Sequence, residues 1–231
     1  MPTHDTLLDD LFGGRHAALR AEFDGWLRGS RRLAAFADLY RGKIRAKLRH
    51  AADVEGLRDV RAELEAAVLL LSDERFAVEY EKYAAAKQRG PDLTVTFRTH
   101  TLFNVEVRRL RAIEADDDPE ARVARLVYVL CDKVRQMPPS IVNLLWLSSD
   151  GPAAEDDLSA AATALRQLAE RKADDFFTRR GYESASDFQR AYVRLSGVIW
   201  RWTGEPVVWL NPLARHKAPP EIITAIRRLS I

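Results

Sequence analysis

The chain has 231 residues, 47% of them hydrophobic and 30% charged, with a formal net charge of +2. That length and balance suit a globular protein with a sizeable core and exclude a disordered or low-complexity chain, while a charge so near zero argues for no partner by itself. The single cysteine, Cys131, excludes an internal disulfide framework, and no apolar stretch approaches the roughly 20 residues that span a bilayer.

Residues 5 to 50 read as two or three short helices, with Leu7, Leu8, Leu11, Leu19, Phe23 and Leu27 among the apolar positions and breaks at Gly13-Gly14 and Gly29-Ser30. The opening MPTHDTLLDD has no basic segment ahead of an apolar one, so the expected location is the cytoplasm. Residues 26 to 50 are strongly basic against the lone acid Asp38. Within them Arg41, Arg45 and Arg49 fall at i, i+4 and i+8, a stripe of like charge that repels itself. Such a stripe is more comfortable beside phosphates, which makes it a candidate nucleic-acid contact, although a solvated helix face carries the same pattern.

A clearer helix spans about 53 to 72, with Asp53 as N-cap and Leu57, Val60, Leu64, Val68 and Leu71 at helical spacing. The period then changes to two. FAVEYEKY (76–83), LTVTF and FNVEVRR alternate as half-buried strands do. An acidic run, AIEADDDPE (112–120), leads to a helix over 119 to 136 with Pro119 at its first position. Cys131 lies in this helix and reads as a small buried hydrophobe. IVNLLWL (141–147) is apolar throughout, as a strand covered on both faces should be. Helices follow over 154–180 and 186–202, VVWL (207–210) is a short strand, and PPEIITAIRRL ends as a helix. The central order is therefore α-β-β-β-α-β. A helical region over 1–52 precedes the core at 53–148, and a helical extension over 149–231 packs on it.

The stretch GPDLTVTFRTHTLFNVEVRRLR (90–111) raises a question of charge. With its turn centred near Thr99, Asp92 lies across from Glu106, and opposed residues hold their Cβ atoms roughly 4.5–5.5 Å apart. Two carboxylates so placed repel, and a divalent cation, an arginine or a raised carboxyl pKa must compensate. Magnesium suits such a place, since it takes one or two carboxylates, waters and a substrate phosphate oxygen. Arg108, two residues beyond Glu106, points to the same strand face.

Pro91-Asp92, a thirteen-residue spacer and then Glu106-Val107-Arg108 resemble the pattern of the PD-(D/E)xK nuclease superfamily, over roughly residues 53 to 148. The resemblance implies a restriction-endonuclease-like α/β core with a mixed central sheet and helical additions at both ends. It also implies Mg²⁺ (or Mn²⁺) as cofactor and phosphodiester hydrolysis in nucleic acid, DNA foremost. By the same resemblance Asp92 and Glu106 hold metal, Glu63 in AELEAAVLLL assists (with Glu65 the alternative), and Lys133 and Gln136 in DKVRQM are accessory residues. The family expects lysine where this chain has Arg108. A guanidinium is effectively always protonated, so Arg108 can clamp a phosphate but cannot act as a base.

Two other readings stand beside the nuclease: a non-catalytic relative that binds nucleic acid or protein, and an interaction protein, such as a homodimer, joined through Trp200, Trp202 and Trp209. The five histidines show no metal-ligand spacing.

Overall fold

The computed structural model describes residues 3–83, 90–111 and 118–230; most of the acidic run at 112–120 lies outside them. Four helices come first, α1 (His4–Phe12), α2 (Ala17–Gly29), α3 (Arg31–Leu39) and α4 (Arg41–His50). Next are α5 (Val54–Ser72), β1 (Phe76–Tyr80), β2 (Leu93–Phe97), β3 (Thr101–Leu110), α6 (Pro119–Val134) and β4 (Val142–Ser149). The chain continues through α7 (Glu155–Glu170), α8 (Asp174–Thr178), α9 (Ala185–Tyr192), β5 (Gly197–Arg201), β6 (Val207–Leu210) and α10 (Pro220–Arg227). This is an α/β protein around one open, mixed six-stranded sheet in the order β1-β2-β3-β4-β5-β6. The pairs β1/β2, β2/β3 and β5/β6 are antiparallel, and β3/β4 and β4/β5 are parallel.

Local chemistry explains the boundaries. Asp53 caps α5 by accepting a hydrogen bond from the Gly56 amide at 2.7 Å, and Asp118 with Pro119 starts α6. β1 stops at Tyr80 because Glu81 takes a left-handed φ of 45°. The β2–β3 hairpin turns through Arg98 and Thr99, both at positive φ, and pairs Phe97 with Thr101 and Leu93 with Val105.

The sheet separates two apolar layers. Phe103, Val105, Val107, Trp146 and Ile199 meet α5 and the N-terminal helices on one face. Leu110, Leu145, Leu147, Val198 and Trp200 meet α6, α7 and α9 on the other. A buried polar ladder fixes the register: Thr94 donates to Asn104 at 3.0 Å, and Asn104 donates to Asn143 at 3.1 Å across β2, β3 and β4. Such a ladder satisfies its members in one alignment only, because a one-residue slip would send each side chain to the opposite face.

The C-terminal region departs from the sequence expectation. Residues 186–202 are not one helix: α9 ends at Tyr192, and β5 adds a parallel strand to the sheet. Gly197 explains the change, since a Cβ there would lie 2.8 Å from the Trp209 carbonyl oxygen; only glycine lets β5 and β6 approach. The extension at 149–231 is therefore mixed rather than helical. Residues 154–180 divide into α7 and α8 where Lys172 takes a φ of 53°. No helix among the described residues is long and apolar enough to cross a membrane.

Candidate functional site

Continuing the β2/β3 register by one residue beyond Leu93–Val105 sets Asp92 across from Glu106. Asp92 sits just outside β2, where the strands begin to part. Its Oδ2 accepts from the Val107 amide at 2.8 Å, and its own carbonyl accepts from the Glu81 amide at 2.8 Å. These bonds hold the carboxylate at the mouth of the opening between β2 and β3. Gly90 helps to place it, because an added Cβ would stand 2.5 Å from the Tyr83 ring.

Glu106 is 4% exposed and ion-paired through Oε1 with Lys133 of α6 at 2.5 Å. Glu63 reaches the same region from α5. Its Oε2 accepts from the Tyr80 hydroxyl at 2.8 Å and from the Lys47 ammonium. Lys47, on α4, also stands 3.2 Å from Glu81 and 3.5 Å from Asp92. Lys43, one turn earlier, donates to the carbonyls of Tyr80 and Glu81 at 2.8 Å each and so holds the strained end of β1.

Four acids, Glu63, Glu81, Asp92 and Glu106, thus face two ammonium groups, Lys47 and Lys133. The imbalance shows in the acids. Burial first, and then the charge of Asp92, push both Glu63 and Glu106 up to about 7, against the pull of Lys47 and Lys133 respectively. Burial also works against the Lys47 ammonium, but Glu63, Asp92 and Glu81 overcome it and raise its pKa. The cluster keeps its lysine charged and leaves carboxylates that ionise reluctantly.

The remaining sequence candidates are placed unequally. Arg108 shares the strand face of Glu106 but is half-buried and makes no ion pair with a described residue. Gln136 lies in the turn after α6, its amide donating to the Lys133 carbonyl, with no side-chain hydrogen bond among the described residues. Glu65 pairs with Arg61 on the far flank of α5, as a step of two residues, about 200° around a helix, requires. Arg41 pairs with Asp38 at 3.8 Å and Arg45 with Asp10 at 2.5 Å, so two of the three arginines in the basic stripe are matched within the chain; Arg49 is exposed. Trp200 and Trp209 are buried. Cys131 is fully buried, its thiol pushed up to about 12 by that burial.

Sequence reasoning missed Lys47, Tyr80 and Glu81. The signal for Lys47 was in the same basic helix. Lys43 and Lys47 form a second i, i+4 stripe on the side opposite the arginines, and this stripe faces the sheet.

The donor set has a definite limit. Among the described residues no group of three or more histidines, cysteines or acids is drawn together as a ready-made metal cage. Two carboxylates with surplus negative charge fit a cation that keeps most of its waters, which is how Mg²⁺ is commonly held. No family model, no curated protein and no solved structure matches this chain.

Proposed function

We propose that this protein is a divalent-metal-dependent hydrolase of phosphodiester bonds in nucleic acid, its α5-β1-β2-β3-α6-β4 segment forming a restriction-endonuclease-like core. One observation carries the reading: Asp92 stands across a strand pair from Glu106, within reach of Glu63, and their combined charge exceeds that of the lysines supplied. The resemblance of the same residues to the PD-(D/E)xK pattern agrees with it.

In this reading Asp92 and Glu106 hold Mg²⁺ or Mn²⁺, which supplies Lewis-acid polarisation of a phosphate oxygen. The chain's own groups do the rest. Glu63, with its carboxyl near 7, is poised to take a proton from water at neutral pH. Lys47 stays protonated between Glu63 and Asp92 and keeps those carboxylates oriented. Lys133 fixes the rotamer of Glu106 and leaves its second oxygen for another ligand. Arg108, permanently charged on the same strand face, binds phosphate oxygens as a fork. Lys47 and Lys133 together put ammonium groups beside the acids, which the motif position filled by Arg108 does not.

The test is cleavage of single- and double-stranded DNA and RNA by purified protein with Mg²⁺ or Mn²⁺. Cleavage that falls to background in Asp92→Asn is the expected result. If the wild type cuts none of these substrates with either metal, the catalytic reading is withdrawn and the cluster is an internal charge network.

A further inference from the structure

A second cavity lies on the other flank of α5, at the C-terminal ends of the parallel strands. Its volume is about 400 Å³, within the size range of small-molecule sites. Ser148 of β4 and Arg201 of β5, paired in parallel register, line it together with Arg61 and Glu65 of α5. Trp202 lines it too. Its indole N–H donates to the Glu205 carbonyl at 2.8 Å, and Gly204 makes room for the ring, since an added Cβ would fall 2.3 Å from it. The loop is thus shaped to present a tryptophan beside the strand ends, where ligands of open parallel sheets collect.

The chemistry of the lining narrows the ligand. Arg61 spends its guanidinium on Glu22 and Glu65. Arg201 does not: half-buried, its guanidinium makes no hydrogen bond or ion pair with a described residue, and the burial lowers its pKa despite the nearby charge of Glu65. A guanidinium unspent on the described chain and open to the cavity is available to acceptors from outside. Formal charges around the cavity cancel, Arg61 and Arg201 against Glu65 and Asp150. A bare anion would meet the two acids and a bare cation the two guanidiniums. The fitting ligand is uncharged and planar, with acceptors for Arg201, donors for Glu65 and a face for Trp202.

We infer that this cavity receives a nucleobase. The inference deepens the proposed action on nucleic acid and rests on that reading for the base being part of a strand. Arg201 stands three strand positions across the sheet from Asp92 and three residues further along it, roughly 17 Å at the usual strand spacing and rise. The base held is therefore that of a nucleotide a few positions along the strand from the bond cut, and it must be unpaired for Trp202 to stack on it. The substrate class is single-stranded or locally opened nucleic acid.

Free nucleosides test the pocket without phosphate, metal or cleavage. Adenosine, guanosine, cytidine, thymidine and uridine are titrated by calorimetry into the full chain, its Asp92→Asn variant, Trp202→Ala and Arg201→Met, each checked for an unchanged melting curve. The expected result is binding of at least one nucleoside, equal in wild type and Asp92→Asn and weakened about tenfold or more in Trp202→Ala, as loss of a stacking platform predicts. Arg201→Met separates hydrogen bonding from stacking and is expected to change which nucleoside binds best. No nucleoside binding, or binding indifferent to both cavity variants, overturns the inference. Failure of metal-dependent cleavage alone would overturn the hydrolase and leave the pocket standing.

Discussion

Two charge clusters join α5 to β3, and they are built on opposite principles. Near the end of β3, Arg109, only 7% exposed, pairs with Glu55 and Asp59, and Arg111 pairs with the same two acids. Arg58 pairs with Glu55 as well, so three guanidiniums meet two carboxylates, and the hydrogen bond from Arg109 holds the Glu55 carboxyl below its ordinary range. Three residues earlier on the strand, Glu106 belongs to a cluster where four acids meet two ammonium groups and two carboxyls are pushed up to about 7. A cluster whose acids all have guanidinium partners is finished by the fold. An unbalanced one is left to protons, which the raised carboxyls take up, or, on the proposed function, to a bound cation.

Arg109→Met leaves Glu55 and Asp59 without their buried partner, and the melting temperature is expected to fall by roughly 5–10 °C. Metal-dependent cleavage per folded molecule should be unchanged. A loss of cleavage without a loss of stability would erase the distinction between the clusters.

At the unbalanced end, substitution should act the other way. Glu63→Gln removes one of the crowded charges and keeps an acceptor for Tyr80. It is expected to raise the melting temperature at pH 8 by about 2–4 °C while cleavage falls at least about a hundredfold. Calorimetry and cleavage rates on one preparation measure both.

Acidity gives a smaller effect. A carboxyl raised to about 7 binds its proton more tightly folded than unfolded, so the stability it contributes is full below about 4.5 and is lost as pH rises through about 7. Without metal, the melting temperature should therefore decline between pH 5 and pH 8, less steeply in Asp92→Asn. A flat profile in the wild type would contradict the raised carboxyls.

Lys47→Met removes a cation that competes with metal for Glu63 and Asp92. With the ammonium gone, the cluster should bind Mg²⁺ more tightly, read as a greater rise in melting temperature on adding the ion than in the wild type.

The site could be read in the sequence where its geometry is local. A hairpin nearly symmetric about Thr99 determines which residues oppose each other, so the facing of Asp92 and Glu106 follows from counting. Helix caps such as Asp53 and Pro119 follow from adjacent residues. Lys47 could not be found that way. It lies sixteen residues before Glu63, in a helical region taken as outside the core, and only the packing of α4 on α5 and β1 brings it in. β5 was hidden for another reason: Phe188, Tyr192 and Leu195 continue a helical spacing up to the glycine that ends it. Arg108 shows the limit of alternation, which gives a side chain's face but not its partner.

The central claim is that the charge left over among Glu63, Asp92 and Glu106 takes a divalent ion. Calorimetric titration of Mn²⁺ into wild type and Asp92→Asn at pH 8 measures this without reference to any substrate. Binding by the wild type that is lost in the variant is the predicted result. No binding by the wild type, or equal binding by both, would contradict it.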